Sequence, residues 1–135
     1  MVKLIIGVKG TGKTKALISM VNEAAEKSNG NVVCIEKGVG LRFDIKPTVR
    51  LINTNEYLVF DAQSLYGFVA GILASNHDVT DLFIDGALKI SNNDTAAFEA
   101  FVKAVDELTA KMDVNVVMTS SIPAEAASDV VKKYI

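Results

Sequence analysis

The chain has 135 residues, half of them hydrophobic, and a formal net charge of −2. That length suits one domain able to bury about two-thirds of its unfolded surface, and the apolar content argues against disorder as the default. The balance of charge argues against a dominant nucleic-acid surface, which needs a basic face. No apolar run approaches the roughly 20 residues of a membrane span, so membrane insertion is not expected. A single cysteine, Cys34, excludes a disulfide within the chain or a cysteine-rich zinc framework. A strand is expected from Val2 onward rather than a secretory leader. With the lone thiol, this points to a reducing, cytoplasmic setting.

Residues 2–6 form a short apolar run interrupted only by Lys3, as a first strand would. Gly7-Val8-Lys9-Gly10-Thr11-Gly12-Lys13-Thr14 follows and fits G-x-x-x-x-G-K-[ST], the phosphate-binding P-loop. After Thr14 the apolar spacing becomes helical, with Leu17, Met20, Val21, Ala24 and Ala25 on one face. Strand, glycine loop and helix together turn backbone N–H groups and the positive end of a helix dipole toward an anion. Gly7, Gly10 and Gly12 let the chain bend around a phosphate without a Cβ in the way. Lys13 is placed to reach the β- and γ-phosphates, and Thr14 to put its hydroxyl on Mg²⁺. Lys9, Thr11 and Lys15 complete the expected nucleotide contacts, the two lysines adding positive field.

The helix is expected over 13–27, ending at Asn29-Gly30-Asn31. Residues 32–35, Val-Val-Cys-Ile, read as a strand buried on both faces. A flexible loop and an irregular stretch follow, then a shorter strand over 49–52, placed nearer an edge by Arg50. The segment 53–59 is ambiguous. Asp61 is suited to cap a helix whose apolar face is Leu65, Phe68, Val69, Ile72 and Leu73. Residues 82–84 read as a buried strand running into Asp85-Gly86. Residues 87–93 are expected as a loop. Asn93 or Asp94 caps the clearest helix, with Phe98, Phe101, Val102, Val105, Leu108 and Met112 at helical spacing. A fifth strand over 114–118 runs into Thr119-Ser120-Ser121, and Pro123 suits the first turn of a short terminal helix. Strands alternating with helices give an α/β class with a parallel sheet in a single domain spanning 1–135.

Four strand ends carry the remaining chemistry, because open α/β sheets build their sites there. Asp85 follows an apolar strand, as a Walker B carboxylate does, and is the metal-side partner of Thr14. Gly86 stands where many P-loop ATPases have a water-orienting glutamate, so Glu36, at the end of the second strand, is the candidate for that task. Thr119 and Ser120 end the fifth strand and could sense the γ-phosphate or form a turn. Arg42 could act on a phosphate in cis or across an oligomer, or simply be solvated. His77, with no metal partner in view, reads as a surface residue.

On the residues 7–14, 32–36, 82–85 and 116–120, the chain resembles a P-loop NTPase of the RecA-like kind. The resemblance implies a three-layer α/β/α sandwich with a five-stranded parallel sheet in the order 3-2-4-5-1. It also implies a catalytic glutamate after the second strand; Glu36 lies 23 residues beyond Lys13, similar to that spacing. The whole chain is also similar to short bacterial ATP-binding proteins of uncharacterised role.

The function expected is Mg²⁺-dependent binding and hydrolysis of ATP, with Lys13, Glu36 and Asp85 catalytic. ATP is favoured over GTP because no N-K-x-D base-recognition motif is present. One alternative is a small-molecule or nucleoside kinase with an acceptor pocket drawn from Phe43, Tyr57, Phe60 and Tyr66. A thymidine kinase is doubtful, since Cys34 is alone and Gly86 replaces an acid. Another alternative is a slow or non-hydrolysing regulatory module, which would engage a protein partner or a second copy of itself.

Overall fold

Five apolar segments pair in parallel into one sheet in the computed structural model, which describes residues 1–135. They are β1 (Val2–Ile6), β2 (Asn31–Glu36), β3 (Arg50–Asn53), β4 (Val79–Ile84) and β5 (Asn115–Ser120), in the order β1-β5-β4-β2-β3. Read from the β3 edge, that order is 3-2-4-5-1. The strands with unbroken apolar runs lie inside, where both faces are covered. Val33, Ile35, Leu82, Ile84, Val116 and Met118 face the larger core. Their neighbours Val32, Cys34, Phe83 and Val117 face the smaller one on the opposite side. The strands carrying Lys3 and Arg50 take the edges. The β1 edge is partly closed by the C-terminal segment, where the Leu4 N–H donates to the Tyr134 carbonyl at 2.7 Å.

The helix α1 (Lys13–Lys27) covers the smaller core through Leu17 and Val21. Leu41, Ile45 and Val49 of the following irregular stretch fill the same side. Asn22 holds that stretch to the helix: its Nδ2 donates to the Asp44 carbonyl at 2.8 Å and its Oδ1 accepts from the Lys46 N–H at 2.9 Å. On the other face lie α2 (Ala62–Ser75), a short α3 (Ala87–Ile90), α4 (Thr95–Ala110) and a short α5 (Asp129–Lys132). Side chains set the N-termini of three of them. Asp61 and Ser64 form a reciprocal capping box on α2, Asp94 accepts from the Ala97 N–H on α4, and Ser128 accepts from the Val131 N–H on α5.

Several segments depart from the sequence reading for local reasons. Residues 87–93 are not a simple loop: α3 forms because Ala87 and Ile90, three apart, both reach the core. β4 starts at Val79, earlier than its apolar run, since Thr80 and Asp81 are only half-buried at the strand's entrance. Residues 54–57 make a 3₁₀ turn, capped by the Asn53 side chain accepting from the Asn55 N–H. Met112 lies past α4 and is exposed, because the chain turns away through Asp113 at φ 53°. Pro123 precedes one 3₁₀ turn over Ala124–Ala126, and the terminal helix starts later, where Ser128 supplies the cap.

Phe98 is fully buried in the larger core between α4 and the sheet. Phe98→Ala should lower stability by about 3–5 kcal/mol in urea unfolding, by lost transfer energy plus the cavity left behind.

Candidate functional site

The loop from β1 into α1 has the backbone that its glycines require. Gly12 is the N-cap of α1 with φ 87°, a left-handed conformation that costs a residue with a Cβ. A Cβ at Gly7 would stand 2.6 Å from the Thr11 hydroxyl oxygen. That hydroxyl donates to the Val8 carbonyl at 2.8 Å, and the Lys13 ammonium donates to the same carbonyl at 2.9 Å. No side chain caps α1, unlike α2, α4 and α5, and no acidic residue stands in its first turn. Its leading N–H groups and dipole therefore face the cleft, the arrangement that attracts a phosphate.

Across from Thr14, separated by 71 positions in the chain, stands Asp85. The Thr14 hydroxyl lies 3.1 Å and 3.3 Å from the two Asp85 carboxylate oxygens. β4 ends just before Asp85, and the Asp85 N–H donates to the Ile35 carbonyl of β2 at 2.8 Å. Thr119, buried at the end of β5, donates to Asp85 Oδ1 at 2.7 Å and accepts from the Gly86 N–H at 2.8 Å. One hydroxyl thus fixes both the carboxylate and the turn after it. A hydroxyl and a carboxylate are hard oxygen donors, a set that suits Mg²⁺ completed by phosphate oxygens and water. No group of three or more His, Cys, Asp or Glu is gathered in the chain.

Glu36 is placed differently. It is 5% exposed at the end of β2, and its Oε2 accepts from the Leu41 N–H at 3.2 Å, tying down the 37–41 loop. Burial pushes its carboxyl above the ordinary glutamate range, and the charge of Asp85 adds to that. Two residues earlier, Cys34 is fully buried and its thiol is pushed up to about 12, chiefly by burial.

A cleft of about 720 Å³ opens over these groups. Lys9, Gly10, Gly12, Lys13, Thr14, Lys15, Asp85 and Thr119 line it, whereas Gly7, Thr11 and Glu36 do not reach its surface. Thr11 is exposed, and its hydroxyl bonds within the loop to the Val8 carbonyl. Gly86, Lys89, Asn93 and Ser121 line the cleft too, and the sequence reading assigned them no site role. Strand alternation was the available signal for Ser121, which shares a side with Thr119; Ser120 points the other way and is buried. Arg42 is exposed, its guanidinium 4.8 Å from the Phe43 ring centre. None of Phe43, Tyr57, Phe60 and Tyr66 lines the cleft, and Tyr57 packs against Phe68 at 5.5 Å. His77 is exposed.

No protein-family model matches the chain, and no curated protein matches its sequence. Solved structures do match it in fold. A KaiC-like protein from the hyperthermophilic archaeon Pyrococcus horikoshii OT3 superposes with a TM-score of 0.71 at 15% identity, over 98% of this chain and 66% of that one. The pCW3 conjugation coupling protein TcpA, in its monomer form with ATPγS, superposes with a TM-score of 0.62 at 12% identity, over 99% of this chain and 46% of that one. The fold is that of RecA-like P-loop NTPases. At 135 residues the chain spans less than two-thirds of either neighbour. No helix is long and apolar enough to cross a membrane.

Thr119→Val removes the hydroxyl and leaves the Gly86 N–H without its partner. It should cost about 1–3 kcal/mol in chemical denaturation, with Thr119→Ser retaining most of the stability. Glu36 should leave a pH signature. Its raised folded value means that ionisation opposes folding once pH passes the ordinary value near 4.5. Glu36→Gln should therefore be more stable than wild type at pH 7, with the difference disappearing below about pH 4 in matched thermal melts.

Proposed function

We propose that this chain binds Mg-ATP and hydrolyses its γ-phosphate. The observation that carries the reading is the meeting of Lys13, Thr14 and Asp85 at one cleft, with Thr14 and Asp85 in contact across 71 positions of sequence. The uncapped start of α1 and the loop amides would hold the phosphates. Lys13 would leave the Val8 carbonyl for the β- and γ-phosphate oxygens and stabilise charge on the transferring group. Thr14 and Asp85 would hold the metal, with Thr119 fixing the rotamer of Asp85. Bound Mg²⁺ would supply charge neutralisation between the phosphates. The neighbour that holds ATPγS supports an adenine nucleotide as the ligand, as does the absence of an N-K-x-D motif from the sequence. Glu36 is the proposed water-orienting base, on the strand-end argument and its spacing from Lys13.

A second reading, slow turnover with the bound nucleotide acting as a switch for a partner or a second copy, is favoured by one observation. Asp85 is the sole carboxylate lining the cleft, and Glu36 is buried with its carboxylate held by the Leu41 N–H.

Phosphate release from Mg-ATP by wild type, Lys13→Ala and Glu36→Gln, with ATP binding measured in each, separates the two. For the hydrolase, Glu36→Gln should bind ATP yet turn over on the order of a hundredfold more slowly. Turnover equal to wild type would remove Glu36 from the mechanism. Tight binding without turnover in wild type would favour the switch, and an absence of ATP binding in wild type would refute both.

A further inference from the structure

We infer that α3 and the turn after it form a terminal-phosphate clamp, with Lys89 as its charge and Asn93 as its amide, so that the cleft selects a nucleoside triphosphate over a diphosphate. The inference rests on the nucleotide reading given above.

Two separate segments line the cleft. Lys9, Lys13 and Lys15 come from the P-loop and the first turn of α1, while Lys89 and Asn93 come from α3 and the turn after it, beyond Asp85 and Gly86. The Thr14–Asp85 contact joins the two segments. A phosphate chain seated on the loop, with its metal held by that pair, would bring its last group toward the α3 segment. Lys89 is exposed, and neither of the chain's two ion pairs uses it. Four lysines and one carboxylate therefore line the cleft of a chain whose net charge is −2. That concentration of positive charge matches a triphosphate better than a diphosphate.

The turn is held in a shape that side chains other than glycine adopt rarely. Asn92 and Asn93 both have left-handed backbones, at φ 61° and 55°. The Asn92 N–H donates to the Lys89 carbonyl at 3.1 Å and the Asn93 N–H to the Leu88 carbonyl at 2.9 Å. The Ser91 hydroxyl donates to the Ala87 carbonyl at 2.8 Å. A left-handed turn fixed by several bonds holds its side chains in defined directions. Here it places Asn93, and α3 places Lys89, at the same cleft.

Isothermal titration calorimetry of Mg-ATP and Mg-ADP, on wild type, Lys89→Ala, Lys89→Arg and Asn93→Gly, tests the clamp. Lys89→Ala should weaken Mg-ATP on the order of tenfold, as loss of a charge-assisted contact does, and change Mg-ADP by less than about twofold. Lys89→Arg should keep the preference for the triphosphate. Asn93→Gly, which tolerates the left-handed backbone, should weaken Mg-ATP by about threefold. Equal weakening of both nucleotides by Lys89→Ala would reduce Lys89 to a general field and overturn the clamp, as would no change in either. If wild type binds neither nucleotide, the nucleotide reading itself falls. If it binds both and only the Lys89 result fails, that reading survives and the clamp does not.

Discussion

A short run of hydrogen bonds joins the ends of the strands that build the cleft. Thr14 at the start of α1 meets Asp85 after β4, Asp85 is held by Thr119 at the end of β5, and Thr119 accepts the N–H of Gly86. The Asp85 N–H is bonded in turn to β2 through the Ile35 carbonyl. Each member fixes the next, so the carboxylate has one place to stand. Removing the Thr119 hydroxyl, which is buried, would leave the part-buried Gly86 N–H unpaired, which is costly.

Those bonds depend on the order of the sheet. β5 inserts between β1 and β4, which brings a threonine between the phosphate loop and Asp85. Parallel pairing puts all the strand ends at one edge, where helix starts and loops converge. The two cores serve this differently. The larger one, under α2 and α4, anchors β4 and β5 through Leu82, Ile84, Val116 and Met118. The smaller one is covered by one helix and an irregular stretch, and it seats α1, whose start faces the cleft.

Glu36 shows how burial and chemistry compete at a strand end. Its carboxylate sits among apolar neighbours, near Asp85 and Cys34, and is offset by an N–H of the loop it precedes. Desolvation disfavours the ionised form, while that N–H favours it. The proposed water-orienting role would require the ionised form and access to the cleft, whereas the carboxylate as it stands holds the 37–41 loop. The same loop is held on its other side by Asn53, which accepts from the Gly38 N–H at 2.8 Å.

Much was legible in the sequence because the signals were local. The glycine spacing of residues 7–14, the helical spacing of 13–27 and the cap at Asp61 act within a few residues, and the structure has them, while of Asn93 and Asp94 it is Asp94 that caps α4. The α/β class with a parallel sheet followed from alternating patterns of burial. What the sequence could not specify were contacts between distant positions. Whether Glu36 faces a phosphate or a loop depends on how 37–41 folds back. Lys89, Asn93 and Ser121 had no motif; α3 exists because Ala87 and Ile90 find a core, and its outer face then borders the cleft. By itself the sequence determined a phosphate loop on a strand-loop-helix frame, since those preferences are steric and local. Only the tertiary structure decided which groups share the cleft, since that depends on which strand ends the packing brings together.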